Sequence, residues 1–412
     1  MIQGETKNNH EKGGIREMLF LALPMMVSFA CDTIMIFTDR VFLSRLSPDK
    51  MNAAMGGGLT SFMTITFFVG LIGYATSLTA QYYGGKEKHH CSLVISQALL
   101  IAFGAYPAVL LFRPLVHSWF RSMGISYEQL TLQIVYFDIL LYGSVIILVR
   151  HTLASFFSGI GRTSVVMKAA FVSMVINIVF NYVLIFGKLG MPALGIRGAA
   201  YGTIFGNLSG LILLVFSYLE RNTILEYKIQ DSFVLRKDIM SRLLKFGYPA
   251  GLEMTINFLA FNTMVLVFHS HSIVTATAST IMFNWDMVSF VPLLGIQIGV
   301  TSLVGRYMGA GSPDIAHKSV MSGMKLAMAY SSIIFVLFVC FPHMLVGVFR
   351  PASSDEIYVK AIPSAIFMIR LGALYVFVDA MVVVLVGALR GAGDTLWAMY
   401  LTTTLHWILA IV

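Results

Sequence analysis

Six acidic residues stand inside long apolar stretches of this chain: Asp32, Asp39, Asp138, Glu253, Asp286 and Asp379. An ionised carboxylate at the centre of a lipid-embedded helix costs roughly 2.5–3.5 kcal/mol, so such a residue is a functional candidate by default. Asp32 and Asp39 are two turns apart on one helix face. Asn177 and Asn181, one turn apart, can face Asp39 together with Thr203. Oxygens of Asp, Asn and Thr suit a hard cation such as Na⁺, or a protonated carboxyl with hydrogen-bond partners. The same Asn pair can equally join helices by hydrogen bonds, and Asp39 can equally be a helix-end acid paired with a cation.

Glu253 lies about a turn beyond Pro249, and Tyr375 lies one turn before Asp379 on the same face. Two carboxylates on one cavity repel, which favours uptake of a proton, a Na⁺ or a cationic substrate. Tyr375 can add a hydroxyl or a ring face. Asp286 is either a third member of this set or a structural acid bonded through Asn284 or Trp285. Asp138 is expected near the outer end of its span, and Arg370 is expected to snorkel outward.

The other chemistries find no pattern. Gly159–Gly161 and Gly391–Gly393 lack the Gly-Lys-Ser/Thr of a phosphate loop and read as tight turns after helices. Cys31, Cys91 and Cys340 are scattered without metal or redox spacing. No metal triad or nucleophile–base pair is apparent, so an enzyme is not expected and no cofactor is implied beyond Na⁺ or H⁺.

These acids must be positioned by membrane helices. Of the 412 residues, 57% are hydrophobic and 12% charged, and the mean hydropathy is +0.80. Apolar blocks near 18–43, 55–80, 92–113, 130–157, 164–187, 197–219, 246–270, 278–304, 319–348, 363–389 and 396–412 are each long enough to span hydrocarbon, the last cut short. Backbone groups in lipid must bond internally, and unbroken apolar runs exclude the alternation of a barrel. Met1–Ile15 lacks the apolar core of a cleaved signal. With the N-terminus inside, sixteen Lys/Arg fall in the tail and the loops on its side, against nine opposite, six of the sixteen between Arg221 and Lys245. That asymmetry places the N-terminus in the cytoplasm and accounts for the net charge of +8 without nucleic acid.

The chain repeats itself. Ala75–Gly85 (ATSLTAQYYGG) resembles Val300–Ala310 (VTSLVGRYMGA) at an offset of 225, which also pairs Gly70 with Gly295 and Pro24 with Pro249. Gly159-Ile-Gly-Arg-Thr163 resembles Gly391-Ala-Gly-Asp-Thr395 at an offset of 232. The expected fold is an all-α polytopic membrane protein of two pseudo-symmetric six-helix bundles, related by an axis along the membrane normal. Its parts are a tail (1–17), an N-lobe (18–219), a cytoplasmic loop (220–245) and a C-lobe (246–412). The second bundle is incomplete, with about eleven of twelve helices in all. The chain is then a truncated product, or it works without its last helix and a half.

Leu21-Ala-Leu-Pro24, Phe37-Thr-Asp-Arg-Val-Phe42, Ala80-Gln-Tyr-Tyr-Gly-Gly85, Asn177-Ile-Val-Phe-Asn181, Phe186-Gly-Lys-Leu-Gly190 and Gly387-Ala-Leu-Arg-Gly-Ala-Gly-Asp-Thr395 run in order along the chain. As a set they resemble the multidrug and toxic compound extrusion (MATE) transporters, in the NorM-like branch. The resemblance implies an outward-opening V in the bacterial inner membrane, exporting organic cations and drugs against Na⁺ or H⁺. It implies a C-lobe cation site at Glu253, Tyr375 and Asp379, with Asp286 as an extra acid. It matches Asp39, Asn177, Asn181 and Thr203 to an N-lobe polar site. Arg40, Ser44 and Asp32 depart from the family pattern. A monomer in contact with lipid is expected. The rival readings are a lipid-linked saccharide flippase of related fold, which should have a cationic cavity, and a nonfunctional truncated transporter.

Overall fold

The computed structural model describes residues 11–350 and 356–411. Residues 1–10 of the expected tail and Val412 of the last expected span lie outside the described residues. The N-terminal half consists of α1 (Ile15–Ser44), α2 (Pro48–Gly73), α3 (Ala75–Gly84), α4 (Lys88–Leu111), α5 (Arg113–Ser122), α6 (Tyr127–Gly159), α7 (Thr163–Phe186) and α8 (Ile196–Tyr218). A short α9 (Arg221–Tyr227) and a 3-10 turn (Ile229–Ser232) lead to the second half. That half holds α10 (Lys237–His271), α11 (Ile273–Gly309), α12 (Pro313–Cys340), α13 (Pro342–Gly347), α14 (Glu356–Ala392) and α15 (Thr395–Ile411).

Nine helical segments among the described residues are long and apolar enough to cross a membrane. Every span expected from the sequence is helical, but α10 and α15 are not among the nine. Helix starts follow local chemistry. Ser47, Ser126 and Ser272 accept from the backbone N–H three residues on, satisfying a donor that the helix itself leaves free. The α7–α8 turn begins at Gly187, with φ of +66° and Ala193 N only 2.7 Å from where a Cβ would stand.

The segment expected as a polar loop over 220–245 is largely helical, and α10 begins at Lys237, nine residues before the expected 246. Ile239 and Leu243, one turn apart among charged neighbours, are fully buried. They give the start of α10 an apolar stripe that packs with Phe156, Phe157 and Tyr218 of the N-terminal lobe. The start of α1 does the converse. Met18, Leu21 and Ala22 pack with Ile296, Val300 and Val383 of the other lobe. Each lobe thus begins with a helix whose opening turns are buried in its partner.

Candidate functional site: carboxylates with and without a resident cation

In the N-lobe the residues expected to meet do meet. Asp39 of α1 is 7% exposed, and Asn177 and Asn181 of α7 are fully buried. Asp39 Oδ1 accepts from Asn181 Nδ2, and its Oδ2 accepts from Thr203 Oγ1 of α8 at 2.9 Å. Asn181 Nδ2 also reaches Asn177 Oδ1 at 3.1 Å. Asp39 therefore bonds to amide and hydroxyl groups rather than to the adjacent Arg40. Close approach of α8 makes this possible: a Cβ at Gly202 would lie 2.0 Å from Asn181 Oδ1, and one at Gly206 would lie 2.8 Å from Asn177 Cβ. Sequence reasoning passed over these glycines, although Gly202, Gly206 and Gly210 form a small-residue ridge at four-residue spacing. It also passed over Tyr136, a buried neighbour of Asp39 and Thr203. Asn181 Oδ1 and Asn177 Nδ2 have no hydrogen-bond partner. A cage of carboxylate, amide and hydroxyl oxygens with one acceptor to spare fits a hard cation.

The C-lobe set divides in two. Asp379 of α14 is 8% exposed, with Tyr375 beside it and Asp286 of α11 as its acidic neighbour. Among the described residues neither acid has an ion-pair partner. The structural alternative for Asp286 is not what is found. Asn284 Nδ2 donates to its own helix at Thr280 O, and Trp285 Nε1 donates to Leu345 O.

Glu253 of α10 has a basic partner. It is 3% exposed, and its Oε2 accepts from Arg390 Nη2 at 3.0 Å. Arg390 follows Asp379 by three turns of α14, about 16 Å along the axis. Of the acids grouped with Tyr375, Glu253 thus has a basic partner, whereas Asp379 has a second acid beside it. Sequence spacing within α14 set Tyr375 beside Asp379; it did not reveal Arg390 as the partner of Glu253.

The remaining intramembrane acids also carry cations. Asp32 pairs with Arg150 at 3.1 Å, and Arg150 donates a second bond to Asn207 Oδ1 at 2.8 Å. Asn207 in turn donates to Thr203 O, so a hydrogen-bonded chain joins this pair to the Asp39 cage. Asp138 accepts from Arg113 at 2.9 and 2.7 Å and contacts His117 at 2.7 Å, in keeping with its exclusion from the site. Arg370 is exposed, as expected of a snorkelling residue. These six intramembrane acids thus fall into two kinds: Asp32, Asp138 and Glu253 each contact a basic side chain, and Asp39, Asp286 and Asp379 make no ion-pair contact among the described residues.

A chain of this architecture, polar at a few interior points and apolar on its outer face, is a polytopic membrane transporter rather than an enzyme. The MatE family model matches it twice, over residues 24–183 and 249–412, and the chain belongs to that family. The two matches begin at Pro24 and Pro249, the positions that the internal repeat pairs. Among curated relatives, the probable multidrug resistance protein NorM of Shewanella oneidensis is 28% identical over 397 residues, 95% of this chain and 84% of that protein. The multidrug resistance protein PmpM of Pseudomonas aeruginosa is 25% identical, over 95% of this chain and 82% of its own length. Among solved structures, an outward-facing multidrug resistance MATE family transporter of the MOP superfamily superposes with a TM-score of 0.86 at 22% identity, covering 97% of this chain and 88% of that one. A MOP superfamily transporter from Pyrococcus furiosus, described as having a binding pocket of reversed polarity, gives 0.87 at 21% identity over 99% and 91%.

Proposed function

We propose that this protein is a cation-coupled antiporter that exports small organic cations and drugs across the bacterial inner membrane by alternating access. The observation that carries this reading is that, among the described residues, three interior carboxylates make no ion-pair contact, whereas Asp32, Asp138 and Glu253 each make one. Asp379 and Asp286, with Tyr375, form the C-lobe centre, and Asp39 with Asn177, Asn181 and Thr203 forms the N-lobe centre. Each is a place where an arriving Na⁺ or proton supplies the positive charge that Arg150, Arg113 and Arg390 supply elsewhere. Glu253 takes part through Arg390, which an incoming cation would have to displace. The charge asymmetry of the loops supports a cytoplasmic N-terminus and a cytoplasmic segment over 220–245.

Antiport requires that cation and drug bind the two conformations unequally. Loading an acidic centre removes the repulsion that a cationic drug would otherwise relieve, so the two ligands compete for the same charge. An inward-negative potential adds about 2.3 kcal/mol per charge per 100 mV when the cation carries the net charge. The reading is tested by ethidium accumulation in efflux-deficient cells, with and without Na⁺, comparing the unmodified chain with Asp379→Asn. Lower accumulation that the substitution abolishes supports it. Export that is unchanged in both Asp379→Asn and Asp39→Asn would remove it.

A further inference from the structure

The lobes meet along a seam at the end of the molecule where α1 and α10 begin, and both halves of the sequence repeat lie in it. Gln81 Nε2 of α3 donates to Gly391 O at the end of α14, at 2.9 Å. Arg306, its counterpart at the offset of 225, donates from Nη2 to Ile160 O just after α6, at 3.3 Å. Each lobe therefore reaches with its first repeated motif into the second repeated motif of the other. Glycine sets the spacing in the same reciprocal way. A Cβ at Gly84 would stand 1.8 Å from Arg306 O, and one at Gly309, the counterpart of Gly84, would stand 1.9 Å from Gln81 O. Ser302 Oγ, buried in the seam, donates across it to Ser158 O at 2.8 Å. Gly161 and Gly393, the second glycines of the Gly-x-Gly turns, have φ of +80° and +92° and leave the carbonyls of these turns free to accept.

The flanks of the seam match in position and differ in charge. On one flank Glu17 of α1 accepts from Tyr307 Oη at 2.8 and 3.0 Å and lies 3.7 Å from Arg306 Nη1. Both side chains of that ion pair are 22% exposed, and the Arg306 guanidinium lies 4.9 Å above the Tyr83 ring. On the other flank the counterparts of Glu17 and Tyr307 are Arg242 and Tyr82, joined by one exposed hydrogen bond of 3.2 Å. The place of Arg306 is held there by the neutral Gln81.

We infer that the Glu17–Arg306–Tyr307 cluster is the latch of the inner gate. The two flanks share one fold of backbone contacts and each sends one side-chain bond to a carbonyl of the other lobe, but only this one adds a half-buried ion pair and a cation–π contact from that same side chain. An inward-opening movement has to pull α1 from α11, which separates Glu17 from both of its partners at once. Among the described residues the opposite flank has no ion pair to break, only the exposed Arg242–Tyr82 bond and the neutral Gln81–Gly391 bond, and serves as the pivot. This inference rests on the alternating-access reading only for its role in transport; the latch itself is a statement about which contacts hold the seam.

The test reads the seam directly. Ser302→Cys in the full chain, in inside-out membrane vesicles, is labelled with a membrane-impermeant maleimide, and the rate is taken above that of the native cysteines. The expected rate is slow in the otherwise unchanged chain. It rises about fivefold or more with Glu17→Gln, and further with Arg306→Gln, which installs the residue of the opposite flank. Because both substitutions remove one interaction, the double variant labels no faster than Arg306→Gln alone. Arg242→Gln changes the rate by less than about twofold, as expected for an exposed bond. Unchanged labelling in Glu17→Gln and Arg306→Gln, or an equal rise with Arg242→Gln, overturns the latch. Faster labelling in a chain that exports no drug would leave the latch standing and count against the function proposed above.

Discussion

The two lobes solve the burial of an acid differently. In the N-lobe, Asp39 has both oxygens bonded to neutral donors, one from α7 and one from α8. In the C-lobe, Asp379 shares its surroundings with a second acid, Asp286, and a single tyrosine. The first arrangement surrounds the carboxylate with neutral hydrogen-bond donors and keeps a free amide oxygen, Asn181 Oδ1, for an arriving proton or cation. The second sets like charges together and is relieved only by a proton or a cation. The lobes descend from one repeated pattern, so the contrast shows that the helical scaffold is kept while the electrostatics of each interior are set by a few side chains.

This contrast can be broken most severely at the acid that has a cation. Glu253→Gln leaves the half-buried Arg390 without its partner and is expected to cost up to about 3 kcal/mol, read as a lowered melting temperature in detergent. Asp379→Asn removes like-charge repulsion and no hydrogen-bonded cation, so it should melt at or above the unmodified chain while abolishing cation-dependent export. If both variants lost stability equally, the division of acids into paired and unpaired kinds would fail.

A second expected effect lies in the N-lobe scaffold. Gly202→Ala puts a methyl on Asn181 Oδ1 and should cost about 1–3 kcal/mol with weakened export, since the cage closes only if α8 stays close to α7. Gly104→Ala, where a Cβ meets nothing within 4 Å, is the control and should leave both melting and export unchanged. The smallest effect is expected from Thr203→Val. It removes one of the two bonds to Asp39, a loss of about 1–3 kcal/mol for a charged acceptor, and should shift the cation concentration for half-maximal export more than the maximal rate. Export assays at varied Na⁺ and pH separate those two quantities.

The N-lobe cage was legible in the sequence because its members are polar residues at helical spacing in otherwise apolar spans, with few other polar groups to choose from. Tyr375 and Asp379 were legible for the same reason, being one turn apart on one helix. Arg390 as the partner of Glu253 was not legible, because pairing across helices depends on how α10 is set against α14, and nothing in either segment states it. Arg150 and Arg390 stood in the sequence as basic residues in or beside apolar spans, without a sign of which acid each would neutralise. Ile239 and Leu243 hid the start of α10 because two apolar residues among charges look like loop until the surface that buries them is known.

By itself the sequence determined a membrane protein of helices, its duplication and which interior residues can carry charge. These follow from local facts: the length of an apolar run, the spacing of a repeat and the cost of a carboxylate in lipid. Only the tertiary structure decided which acids have a cation and where the duplicated motifs meet. Those outcomes depend on how far one helix slides along another, and packed side chains and missing Cβ atoms set that distance rather than any pattern within one segment.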